Sequence, residues 1–228
     1  MLYVVENIPD EQSMQAVVAE LLPLVPFARR EQALRYKHLH GQYCCLRAWQ
    51  LLHSLLTEHN FIPVSLPLAD LTYTVDDYGK PSLSNAVFER SGLSSLSNAV
   101  YFSLSHTKTA IAVAIDHAPV GIDVETIVSP ARISDRHFLD RTMNPAEQQQ
   151  IAAADNPCLA FTELWTRKEA LVKLLGTGID MSTLPTLLTA LPTLLVPQPA
   201  PSPDAPQPYS FLTTRTPSYA CTVVTQNA

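Results

Sequence analysis

Three carboxylates and one ammonium group stand out for what their types and spacing could do. In VGIDVE, residues 120 to 125, Asp123 and Glu125 lie two positions apart within an apolar, β-branched run. If the run is extended, side chains alternate across it, so both carboxylates leave one face while Val120, Ile122 and Val124 leave the other. Two carboxylates at close range raise each other's pKa unless water solvates both or a cation sits between them. A hard divalent ion suits such an all-oxygen donor set. Taken alone, a D-x-E run is ordinarily the solvated face of a strand. Further along, LWTRKEALVK adds Glu169 and Lys173, four apart and so on one helix face, with Trp165 one turn earlier. By itself that is an i,i+4 pair worth a few tenths of a kcal/mol on a surface helix. The combination is what points to chemistry, because it offers a third acid and a cation to the first two.

The elements that would carry these groups can be read from periodicity. YVVENI is a strand, and residues 11 to 27 place Met14, Val17, Val18, Leu21 and Leu22 at helical spacing, ending near Pro23 or Pro26. A second helical stretch runs from about Arg29 to Glu58, with Gly41 as its point of interruption. LTYTVDDYGKPSL reads as a strand and a Gly-Lys-Pro turn, and a Ser-rich surface loop follows over residues 82 to 99. VYFSLSH and TAIAVAI are two short strands. In the second part VGIDVET is a strand, RISDRHFLDRTMNPAEQQQIAAAD holds helical segments, and PCLAFTELWTRKEALVKLLG is the strongest helix, closed by Gly176. Residues 184 to 208 are too rich in proline for a regular element. YSFLTTR and YACTVVTQ close the chain as strands about a turn at Pro217 and Ser218. Each half thus offers helices plus strands, an α+β pattern, with a boundary between residues 1–117 and 118–228.

Bulk properties narrow the function. The chain has 228 residues, 46% of them hydrophobic, ample for a buried core. Its net charge of −6 argues against a sequence-independent nucleic-acid binder, which neutralises phosphates with Lys and Arg. No apolar run approaches the roughly 18 residues of a membrane helix, and MLYVVENIPDEQ lacks the charged-then-apolar order of a secretory leader, so no membrane partner and a cytoplasmic location are expected. The four cysteines, Cys44, Cys45, Cys158 and Cys221, lack zinc-site spacing.

In chain order the sequence carries Gly79-Lys80-Pro81, Ser105-His106, VGIDVE, Arg136-His137-Phe138 and WTRKEALVK. This series resembles the 4′-phosphopantetheinyl transferases of the longer, surfactin-synthetase type, which share a G-(I/V)-D-x-E segment and, further on, a (W/F)-x-x-K-E-(A/S)-x-x-K segment. The resemblance covers roughly residues 29 to 180, and several motifs in the right order are far more specific than any one. It implies two similar α+β halves packed about a pseudo-twofold axis, with coenzyme A in the cleft between them and a monomer as the working unit. It also implies magnesium-dependent transfer of the phosphopantetheine arm of coenzyme A to a serine of an acyl or peptidyl carrier protein, releasing 3′,5′-ADP. On that analogy Asp123, Glu125 and Glu169 hold Mg²⁺, Glu169 or Glu125 takes the serine proton, and Lys173 stabilises phosphate oxygens. Ser105 and His106 contact coenzyme A phosphates, while Gly79, Lys80 and Pro81 sit beside the adenine and 3′-phosphate. Arg30 and Arg35, with Arg29, lie where the family gathers cations. One departure is GQYCCLR, where the family often has a basic residue. ARISDRHFLDRTM, with Arg132 and Arg136, is the candidate surface for the carrier. Two rivals are a non-catalytic binding module of the same fold and another Mg²⁺-dependent nucleotide phosphoryl transferase; the chain has no GxxxxGK[ST] loop to support the latter.

Overall fold

A strictly alternating strand divides the interior of this protein in two. In AIAVAI the larger residues Ile111, Val113 and Ile115 face one way and the alanines 110, 112 and 114 the other, and all six are buried. The computed structural model describes residues 1–84, 86–87, 100–188 and 208–227. Most of the Ser-rich run before residue 100 and residues 189–207 of the proline-rich stretch lie outside the described residues; Leu184–Thr186 forms a 3₁₀ turn.

The first half contains β1 (Leu2–Asn7), α1 (Glu11–Leu21), α2 (Phe27–Leu34), α3 (Leu39–Glu58), the hairpin β2 (Tyr73–Val75) and β3 (Pro81–Leu83), then β4 (Tyr101–His106) and β5 (Ala110–Asp116). β1, β5 and β4 form an antiparallel sheet in that order. Ile111, Val113 and Ile115 pack against the helical layer, where Trp49, Leu52 and Leu56 of α3 are fully buried. Trp49 donates from Nε1 to the Leu71 carbonyl at 3.2 Å, so its one polar atom is satisfied. The expected break at Gly41 falls elsewhere. α2 ends at Leu34 and α3 begins at Leu39, while Gly41 lies in the first turn of α3. A Cβ at Gly41 would stand 2.5 Å from the Tyr36 ring, so the glycine makes room for an aromatic side chain and does not end a helix.

The second half contains β6 (Val120–Thr126), α4 (Pro130–Ser134), α5 (Arg136–Thr142), α6 (Pro145–Ala153), α7 (Pro157–Leu175), β7 (Tyr209–Arg215) and β8 (Tyr219–Gln226). β6, β8 and β7 form a second antiparallel sheet in that order. The alanine face of β5 packs on Val120, Ile122 and Val124 of β6 and on Tyr219, Cys221 and Val223 of β8. Small side chains on one surface let the two sheets approach closely. The long helix forms as the sequence indicates, with Asn156 accepting from the Leu159 amide at its start, Pro157 in its first turn and Gly176 left-handed at φ 71° at its end.

The seam between the halves is made by side chains. The amides of Ile122, Val124 and Thr126 donate to Ser103 Oγ, Ser105 Oγ and Thr107 Oγ1 at 3.1, 3.2 and 3.2 Å. Amides along β6 at a period of two are met by hydroxyls along β4 at the same period, so these buried donors are not left unpaired. Gly121 fixes how α7 lies on this arrangement. It shares the face of Asp123 and Glu125, and a Cβ there would fall 1.9 Å from the Ala170 carbonyl oxygen and 2.8 Å from the Leu174 nitrogen. These are backbone atoms of a buried helix and cannot rotate aside. Gly121→Ala should therefore cost about 1–3 kcal/mol or more by overpacking. Chemical denaturation checks this, and an unchanged midpoint would mean α7 is free to lift from β6.

Candidate active site

α7 lies across β6 closely enough that acidic side chains of the two elements face a common space. A cavity of about 320 Å³ is lined by Asp123, Val124 and Glu125 of β6, Trp165, Glu169 and Lys173 of α7, and Leu104, Ser105 and His106 of β4. Asp123 is buried, and its Oδ1 accepts from Ser105 Oγ and from Lys173 Nζ, both at 2.8 Å. Ser105 thus joins two roles: it accepts the Val124 amide and orients the Asp123 carboxylate. Glu169 is buried, and its carboxyl is pushed up to about 7, first by burial and then by the Asp123 charge, against the pull of Lys173. Burial also raises Glu125, with a further push from Asp123. His106 is exposed at the rim of the cavity, and partial desolvation there holds it below its ordinary value, helped by His40 and Lys173 and opposed by Asp123.

Three acids against one ammonium leave the cavity with uncompensated negative charge, and hard carboxylate oxygens are the donors magnesium prefers. In donor type and in charge the residues fit a divalent ion. As they stand, no three of the described His, Cys, Asp and Glu side chains are gathered closely enough to grip one, and the Lys173 ammonium occupies one oxygen of Asp123. Thiol chemistry has no support here, because burial pushes Cys44 and Cys221 up to about 12, where neither ionises at neutral pH.

Two further cavities adjoin the acidic one, and Leu104 borders all three. One, of about 400 Å³, lies between Gly79, Lys80 and Pro81 on one side and Glu169, Val172, Lys173 and Gly176 on the other. The third, of about 200 Å³, has Arg29 and His106 in its wall. Arg29 is buried under two aromatic faces, its Cζ 4.0 Å from the Trp49 ring centroid and 4.6 Å from that of Tyr73. Its Nε has no hydrogen-bond partner among the described residues. Arg30 points elsewhere, donating from Nε to the Leu22 carbonyl at 2.9 Å and from Nη2 to that of Pro23 at 3.0 Å. Arg35 is exposed and lines none of these three cavities. Arg29 is thus the arginine of the three that reaches the cavities.

Residues 119–224 match the family model described as the 4′-phosphopantetheinyl transferase superfamily. Over that stretch, which takes in β6 and α7, the chain is similar to that superfamily. The 4′-phosphopantetheinyl transferase psf-1 of Bacillus pumilus is 27% identical over 177 residues, 75% of this chain and 66% of that protein. The Sfp transferase of Bacillus subtilis strain 168 is 24% identical over 155 residues, covering 67% of this chain and 61% of its own length. The L-aminoadipate-semialdehyde dehydrogenase-phosphopantetheinyl transferase of Saccharomyces cerevisiae is 26% identical over 193 residues, 78% of this chain and 63% of its own. The chain thus spans about two thirds of these relatives or a little less. The matched stretch carries the paired acids of β6 and Glu169 and Lys173 of α7, which surround one cavity.

Sequence reasoning missed three positioning features. Gly121 belongs to a motif quoted for its acids, yet its own role is visible only once α7 lies on β6. Ser103 and Thr107 could be found only as hydroxyls spaced by two beside a strand of like spacing. Lys168, next to Glu169, is fully buried, and its ammonium donates to Glu147 Oε2, the Thr142 carbonyl and the Pro185 carbonyl at 2.7, 2.8 and 3.2 Å.

Proposed function

We propose that this chain transfers the 4′-phosphopantetheine group of coenzyme A to a serine of an acyl or peptidyl carrier protein. The observation that carries the reading is the acidic cavity with Lys173 in its wall, in a chain similar to this superfamily over residues 119–224. The serine oxygen bonds to the phosphorus that bears the pantetheine, the bond from that phosphorus to the bridging oxygen breaks, and 3′,5′-ADP leaves with that oxygen. Glu169, or Glu125, takes the serine proton; both line the cavity, and burial raises both toward the range of a working base. Lys173 offsets charge that grows on phosphate oxygens. Asp123, Glu125 and Glu169 would hold a magnesium ion, which when bound neutralises the diphosphate. Ser105 holds the Asp123 carboxylate in place, and His106 stands between the acidic cavity and the one that Arg29 lines. The Gly79-Lys80-Pro81 turn borders the nucleotide part of the coenzyme. Residues 1–117 and 118–228 are read as the two similar halves of the family, both contributing to the cavities of one cytoplasmic monomer. Arg132, whose guanidinium lies 3.7 Å from the Phe138 ring centroid, marks the exposed α4–α5 surface for the carrier.

The test is incubation with coenzyme A, Mg²⁺ and fatty-acid, polyketide and peptide-synthetase carrier proteins, read by mass spectrometry. A phosphopantetheine mass on at least one carrier is expected, and none on any carrier overturns the reading. Thermal stability separates the rivals. A transferase should be stabilised by coenzyme A with Mg²⁺ and not by ATP with Mg²⁺.

A further inference from the structure

The ammonium of Lys80 has a partner in the other half of the chain. It donates to the Leu174 carbonyl at 2.9 Å, spanning 94 positions of sequence from the β2–β3 turn to the last turn of α7. The last carbonyls of a helix have no intrahelical amide to bind, and the C-terminal end of the helix attracts a positive charge. The Gly176 amide serves the Val172 carbonyl, and the other cation of that last turn, Lys173, is turned to Asp123. Lys80 therefore supplies from the first half what the end of α7 lacks. Its burial is sufficient to press the ammonium's pKa down.

Both sides of the contact are built to meet. The turn is closed on itself: Asp76 Oδ1 accepts from the Tyr78 and Lys80 amides at 2.9 and 2.8 Å, the Gly79 amide donates to the Asp76 carbonyl at 3.0 Å, and Gly79 has φ 82°. Opposite, Gly176 leaves room for the lysine stem, since a Cβ there would sit 3.3 Å from Lys80 Cδ. Lys80, Lys173 and Glu169 line the same 400 Å³ cavity.

We propose that Lys80 is a positioning residue, a clamp that ties the Gly-Lys-Pro turn to the end of α7 and so sets where Glu169 and Lys173 stand relative to the nucleotide-binding half. The catalytic part of this inference rests on the transfer reading above; the clamp itself does not. Without the clamp the turn and the helix end separate, and a misplacement of about 1 Å can cost up to about a hundredfold in rate.

The experiment compares wild type, Lys80→Met and Lys80→Arg. Hydrogen exchange on the free protein should be faster at amides 174–178 in Lys80→Met and close to wild type in Lys80→Arg, which keeps a cation at the carbonyl. In transfer assays Lys80→Met should lower kcat about tenfold, with KM for coenzyme A within about twofold, and dephospho-coenzyme A should suffer the same factor. Unchanged exchange in Lys80→Met overturns the clamp. A KM that rises for coenzyme A and not for dephospho-coenzyme A overturns it too, since Lys80 would then serve the 3′-phosphate. If wild type transfers nothing to any carrier, the transfer reading has failed, and the exchange result alone decides the clamp.

Discussion

Glu169→Gln is expected to lower transfer on the order of 10³-fold while making the protein more stable at pH 8 in buffer freed of divalent ions. The carboxylate is buried beside Asp123 and Glu125, with Lys173 as the opposing charge, and its pKa stands at about 7. Raised above its unfolded value of 4.5, the ionised form opposes folding fully above about pH 7, and the penalty disappears as pH falls toward 4.5. The variant's gain should therefore be on the order of 2–3 kcal/mol at pH 8, and it should shrink to nothing near pH 4.5. Denaturant titration at both pH values and mass-spectrometric transfer assays check the two halves of this expectation. Transfer within a few-fold of wild type would remove Glu169 from the chemistry. A loss of stability at pH 8 would mean that its charge is already compensated in the folded protein. Opposite signs for activity and stability are the mark of a group kept for function, because a merely structural carboxylate would lose both.

How far the sequence could lead to this site depended on whether a residue's role is set along its own element. Asp123 and Glu125 share a face because a strand alternates, and Glu169 and Lys173 share one because a helix returns every 3.6 residues; both facts are local, and the four line one cavity. The start and end of α7 are equally local, resting on Asn156, Pro157 and Gly176. Gly41 was expected as a breaker and lies inside α3, because what decides its place is the Tyr36 ring folded back over it. Arg29, Arg30 and Arg35 cannot be told apart by composition, since the turn of α2 sends one under two aromatic rings, one to the end of α1 and one to solvent. Most hidden was the seam of Ser103, Ser105 and Thr107, whose hydroxyls complete the hydrogen bonding of the neighbouring strand, a pairing that neither strand shows alone.

The largest structural loss is expected at the buried pair of Lys168 and Glu147. The ammonium of Lys168 is fully enclosed and lies 2.7 Å from Glu147 Oε2, which also accepts the Asn144 amide at 2.8 Å in the capping box that starts α6. Burial presses the lysine's pKa down against the pull of Glu147, so the charge is held in place by its partners and not by water. Removing either partner leaves an uncompensated buried charge, so Lys168→Met and Glu147→Leu should each cost about 3–5 kcal/mol. Removing both leaves no charge to bury, and the double variant should recover at least about 2 kcal/mol of the sum of the single losses. A double-mutant cycle by chemical denaturation measures this, and additive losses would show that the two act independently. The pair matters beyond stability because consecutive positions on a helix point about 100° apart. Lys168 is fastened to the end of α5, the start of α6 and the 3₁₀ turn at Pro185, and this fixes the rotation of α7 that aims Glu169 into the cavity. The double variant should therefore regain much of its stability yet still transfer more slowly than wild type, since Met and Leu can fill the space and cannot hold three separate segments by directed bonds.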